Sequence, residues 1–170
     1  MVNTAIPNTT TNSTADISVT ASGTYTNTGA ISSTGNVSVA AGDDITIASG
    51  ITLSSTGKKL ELKSKQDVIF NTTAKTIQTK NGPIVIWGNS DGGTGASAGG
   101  CYLDSGNTFL TQGGDFVAAG GATSDATSGY PTGFCKGTQV TSDPYSFGVI
   151  VATPITTAGG AISVKGETAD

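Results

Sequence analysis

Thr79-Lys80-Asn81-Gly82-Pro83-Ile84-Val85-Ile86-Trp87-Gly88 decides the fold, because the chain repeats its pattern twice further on. Thirty-two positions later stands Thr111-Gln112-Gly113-Gly114-Asp115-Phe116-Val117-Ala118-Ala119-Gly120. Forty-six beyond that comes Thr157-Ala158-Gly159-Gly160-Ala161-Ile162-Ser163-Val164-Lys165-Gly166. Each unit is a Thr, a glycine turn, an apolar-x-apolar strand and a Gly or polar stop. An apolar residue (Ile77, Phe109 or Ile155) stands two places before each Thr. A strand-turn unit this short cannot bury its apolar side alone, and repetition along the chain buries it by stacking.

Outward from this stretch the same alternation recurs: Ile17-Ser18-Val19, Val37-Ser38-Val39, Ile45-Thr46-Ile47, Ile51-Thr52-Leu53, Leu60-Glu61-Leu62 and Val68-Ile69-Phe70. Such triplets put both apolar side chains on one side of a short strand. Turn residues separate them, as in 33–35, 41–44, 48–50 and 55–59. Val37 to Leu60 is 23 positions, Leu60 to Ile84 is 24 and Ile45 to Val68 is 23. A coil of that length with three strands stacks Val37, Leu60 and Ile84 in one row and Ile45 over Val68 in another. The spacing predicts an all-β fold, a parallel β-helix (β-solenoid), with an antiparallel sandwich disfavoured because sandwiches have no fixed coil length. Alternation turns Ile84 and Ile86 inward, and Val85 and Trp87 outward. Past Trp87 the longer period implies two loop excursions, 88–100 and 118–146.

Residues 1–16 are polar and low in complexity, a leader or capping segment ahead of a single solenoid domain over 17–170. The chain has no His, its formal charge is −4 and its pI is about 4.5, which argues against nucleic acid as a partner. Its longest apolar run, Phe147 to Ala152, is too short for a membrane span. After Met1 there is neither a basic nor an apolar leader segment, so an exported form implies a signal already removed or an excised piece.

Four groups of residues bear on function. The loop placement of Cys101 and Cys135 favours a disulfide over a buried free pair. Asp43, Asp44 and Asp67 form the nearest approach to a carboxylate cluster, since Asp44 and Asp67 are 23 apart and fall at one corner of successive coils. Solvated corner aspartates are the plain reading, and a Ca²⁺ site with carbonyl ligands is the metal reading. A polysaccharide-cleaving pair lacks the Arg or His that β-helix enzymes set beside their carboxylates, so no cofactor and no enzyme is expected. Trp87 either packs under the first excursion or stacks on sugars; Tyr130 and Tyr145 have the apolar body and polar tip that suit glycan contact.

The segment Ile84-Val85-Ile86-Trp87-Gly88-Asn89-Ser90-Asp91 is followed by Gly-Gly-Asp-Phe (113–116), Gly120-Gly121, Gly129-Tyr130 and Gly159-Gly160-Ala161-Ile162-Ser163-Val164. In these residues the chain resembles the repeat region of filamentous-haemagglutinin-like giant bacterial surface proteins, exoproteins often exported by two-partner secretion. The resemblance spans roughly 30–166. It implies a right-handed parallel β-helix, an extracellular place on the bacterial cell surface, and an adhesin, stalk or filament role. The partner expected is a surface glycan or protein receptor, or the chain itself by end-to-end self-association. Two other readings stay open from the residues: an ice-binding solenoid, and a polysaccharide-active or carbohydrate-binding fragment.

Overall fold

The computed structural model describes residues 11–137 and 147–168. The chain winds through six coils. Coil one holds β1 (Thr11–Ser13), β2 (Ile17–Ala21) and β3 (Tyr25–Asn27); coil two holds β4 (Ile31–Ser33), β5 (Val37–Ala41) and β6 (Ile45–Ile47). Coil three follows with β7 (Ile51–Thr56), β8 (Leu60–Ser64) and β9 (Val68–Phe70), and coil four with β10 (Lys75–Lys80), β11 (Ile84–Gly88) and β12 (Cys101–Leu103). Coil five runs β13 (Asn107–Leu110), β14 (Phe116–Ser124), β15 (Pro131–Gly133), β16 (Cys135–Lys136) and β17 (Val149–Val151). Coil six contributes β18 (Ile155–Thr156), β19 (Ile162–Val164) and β20 (Gly166–Glu167).

Three stacked parallel sheets result, and β16 and β20 pair in parallel as a short fourth. The first is β1-β4-β7-β10-β13-β18, the second β2-β5-β8-β11-β14 continued by β19, and the third β3-β6-β9-β12-β17. The register is the one the spacings predict: Val37 pairs with Leu60, Leu60 with Ile84, and Ile45 with Val68. The longer steps hold as well, with Ile84 on Phe116 and Phe116 on Ile162. Coils one and two are shorter, at 20 residues from Ile17 to Val37. Thr11–Ser13, within the stretch read from the sequence as a leader or capping segment, is a strand of coil one paired to β4.

Inward rows make the core. Ile31, Ile51, Ile77 and Phe109 line the first sheet, Val37, Leu60, Ile84 and Phe116 the second, and Tyr25, Ile45, Val68 and Cys101 the third, all buried. Phe109 stands edge-on to Phe70 and Phe116, with ring centroids 4.9 and 5.3 Å apart. Each buried Ile or Leu contributes about 1.5–3 kcal/mol, and it does so because a neighbouring coil covers it.

The repeated Thr-x-x-Gly turn has a structural reason. Thr79, Thr111 and Thr157 are covered, and each hydroxyl donates to the carbonyl three residues on, Gly82, Gly114 and Gly160 respectively. These glycines stack: a Cβ on Gly114 would strike the Gly82 backbone, and one on Gly160 would strike that of Gly114. Only glycine lets successive turns close to the interstrand spacing here.

Candidate functional site

The corners hold the polar side chains from which a site would have to be built. At the corner between the first and second sheets, Asp16 Oδ1 accepts the Asn36 N–H (2.7 Å), and Asn36 Oδ1 accepts the Lys59 N–H (3.0 Å). Further along the same corner, Asp115 Oδ1 accepts the Ala161 N–H at 2.9 Å. Between the second and third sheets, Asp44 Oδ1 accepts from Asp67 N–H (3.1 Å), and Asp67 Oδ1 from Gly100 N–H (2.6 Å). Between the third and first, Asn27 Oδ1 accepts from Ser49 N–H at 3.0 Å. One rule covers all six: an Asx of one coil caps a backbone N–H of the next.

This rule gives Asp44 and Asp67 a structural duty that needs no metal. The spacing does put Asp44 and Asp67 on one corner of successive coils, but each spends a carboxylate oxygen on an amide of the following coil. The Asp43 carbonyl accepts the Ser64 hydroxyl. Among the described residues no three His, Cys, Asp or Glu converge as metal ligands. The Asp44 carboxyl is raised above its ordinary range by burial, partly offset by the Asp67 N–H, with the Asp43 charge adding to the rise. Asp16 is lowered by its hydrogen bonds from the Asn36 backbone and side chain.

Trp87 points outward, as alternation requires, and is nevertheless only 5% exposed. Its indole N–H donates to the Gly121 carbonyl (2.8 Å), and the Lys63 ammonium of the neighbouring strand sits 3.9 Å from its ring centroid. The ring packs under a cover and offers no open platform for a sugar.

The cover is a feature the alternation did not foresee. β14 continues beyond its pairing with β11 to Ser124, turns, and returns antiparallel as β15. The hairpin lays Tyr130 against Val85, Val117 and Ala119, forming a second small apolar core on the outside of the second sheet. Tyr130 Oη donates to Asp115 Oδ2 at 3.1 Å, so Asp115 ties the hairpin to the corner that it also caps. Burial, that hydrogen bond and the Asp115 charge together push the Tyr130 hydroxyl up to about 12. Tyr130 is thus a packing residue with a partly exposed edge. Tyr145 lies outside the described residues. The exposed part of the hairpin is its tip, 123–129, where Asp125 accepts from the Thr127 and Ser128 amides. Paired Val85, Val117 and Ala119 in the outward row were the sequence signal for a cover: three apolar residues on a face expected to be wet.

Cys101 and Cys135 form a disulfide, with Cα atoms 6.0 Å apart. Both are buried in the main core, and the bond staples β12 of coil four to β16 of coil five. On the remaining outward rows chemistry is mixed: Ser32, Thr52, Gln78 and Leu110 succeed one another on the first sheet, and Thr46, Ile69 and Tyr102 on the third. Among the described residues, no helix is long and apolar enough to cross a membrane. Comparison with family models, with curated proteins and with solved structures returned no match for this chain.

Proposed function

We infer that the chain is a non-enzymatic stalk or filament segment of an extracellular protein on a bacterial cell surface, of the filamentous-haemagglutinin-like kind that its strand-Trp segment and Gly-Gly turns resemble. The carrying observation is the corner ladder. The side chains with the most chemistry to offer, Asp16, Asp44, Asp67 and Asp115, hold one coil to the next. Trp87 and Tyr130 hold a flap to the outside of the coil. A chain that commits its polar groups in this way is built to keep its length. The Cys101–Cys135 bond fits an oxidising location outside the cell. Adhesive contact with a glycan or protein receptor belongs to the tip at 123–129, the exposed element that a rigid hairpin lifts off the coil.

Single-molecule pulling between the two ends of the solenoid tests the stalk. The expected record is a stiff element that gives way in coil-sized steps; smooth lengthening at low force would sink the reading.

A further inference from the structure

The two ends of the solenoid differ from its middle in one respect: side chains of the inward rows come into contact with solvent there. On the last coil Ile162 and Val164 are 54% and 44% exposed, although the residues they follow in register, Phe116 and Ala118, are fully buried. Phe147 is exposed beside Val164, and an open depression runs between Phe147, Val149 and Val164. On the first coil the same two rows begin with Ile17 and Val19, which are half-buried. One end therefore shows the finish of two apolar rows, and the other shows their start.

The backbone repeats this relation. Down the second sheet each inward residue donates its N–H to the next coil: Ile17 to Asn36, Val37 to Lys59, Leu60 to Pro83, Ile84 to Asp115 and Phe116 to Ala161. By the same alternation Ile162 aims its N–H off the end, where the group required is the carbonyl preceding an inward residue. Asp16, just ahead of Ile17, stands in that place on the first coil. Strand order agrees too, since first, second and third sheets follow one another in the same sense at both ends. Coil six adds no third-sheet strand among the described residues; β20 lies instead against Gly148 and Val149 at the start of β17, where it pairs with β16.

We propose that the C-terminal end of this solenoid docks on the N-terminal end of a second copy, head to tail, with Ile162 and Val164 seated over Ile17 and Val19. The proposal builds on the stalk reading. It makes a heterologous contact, which does not close after two copies. It continues the coil-to-coil interface already present five times within the chain.

Sedimentation of the full chain over a range of concentrations tests it. The wild type is expected to grow beyond a dimer as concentration rises. The variant I162K/V164K changes two exposed side chains and should keep its β circular dichroism. It should need roughly a hundredfold more protein to associate, the scale of losing a buried anchor. A globular domain fused ahead of residue 1 should block the other end equally well without touching the core. The decisive arm mixes the two blocked proteins, each of which keeps one free end: they should form a one-to-one dimer and stop. A wild type that is monomeric throughout overturns the proposal, and so does a dimer that the N-terminal fusion leaves intact, because that contact is end to like end. Either failure leaves the pulling experiment on the single chain unaffected, so the stalk reading stands or falls separately.

Discussion

Ile86 and Val85 are neighbours on β11, both with no solvent exposure, and they belong to different cores. Ile86 faces the coil interior, where a charge has no partner, so Ile86→Asp should cost on the order of 4 kcal/mol or more. Val85 faces the hairpin. Val85→Thr places a hydroxyl beneath Tyr130 and should cost about 1–2 kcal/mol, more than a solvated outward position would give. Chemical denaturation of the two variants checks both, and a Val85→Thr variant as stable as wild type would contradict the cover. Tyr130 adds a pH signature. Its folded pKa, about 12, lies above the ordinary tyrosine value of 10.0, so the folded chain holds that proton more tightly than the unfolded one. The contribution is fully present below about pH 10 and is lost as pH climbs through about 12. Ring-carbon NMR should show this tyrosine titrating late, and Asp115→Asn should bring its titration downward by removing the neighbouring charge.

The β14–β15 hairpin is an element with a protective task. Replacing 121–133 with a short Gly-Ser turn should keep the β circular dichroism of the coils while uncovering Val85, Trp87, Val117 and Ala119. Binding of an apolar dye should rise and the melting temperature fall; an unchanged melt with no dye uptake would show the flap to be idle. The disulfide is the other tie at this scale. It closes a separation of 34 residues, worth roughly 3–4 kcal/mol on the chain-entropy account. Reductant should lower the melting temperature, and titration of the unfolded, unreduced chain should find no free thiol. The sequence points to the Cys101–Cys135 bond but not to the hairpin. Alternation and spacing located Ile84, Phe116 and Ile162 in one row because a solenoid obeys nearest-neighbour rules that a single chain displays. The hairpin escaped that logic because its partners, Tyr130 on Val85 and Trp87 on Gly121, are set by the folding back of a loop with no period. Asp44 and Asp67 were legible as corner residues; their duty was hidden because it depends on which coil's N–H each oxygen reaches.

Across the whole molecule, stability is shared between adjacent coils and declines toward the ends. Amide exchange should therefore be slowest at Ile45, Val68 and Ile84 and fastest at Ile155 and Ile162, the latter on the exposed last coil. Uniform protection from end to end would mean that the coils open only together. Among the described residues every strand pairing is parallel except that of β14 with β15, so the molecule has a distinct head and tail and no internal twofold. Six coils at an interstrand distance of about 4.8 Å give an axial rise of about 29 Å. Among the described residues one hairpin tip occurs in that rise, on one flank. A file of such chains would thus be a ruler, with a mark every ~29 Å and every mark leaning the same way. A ligand with two arms spanning that pitch would gain from effective concentration, and one with shorter arms would meet each tip alone.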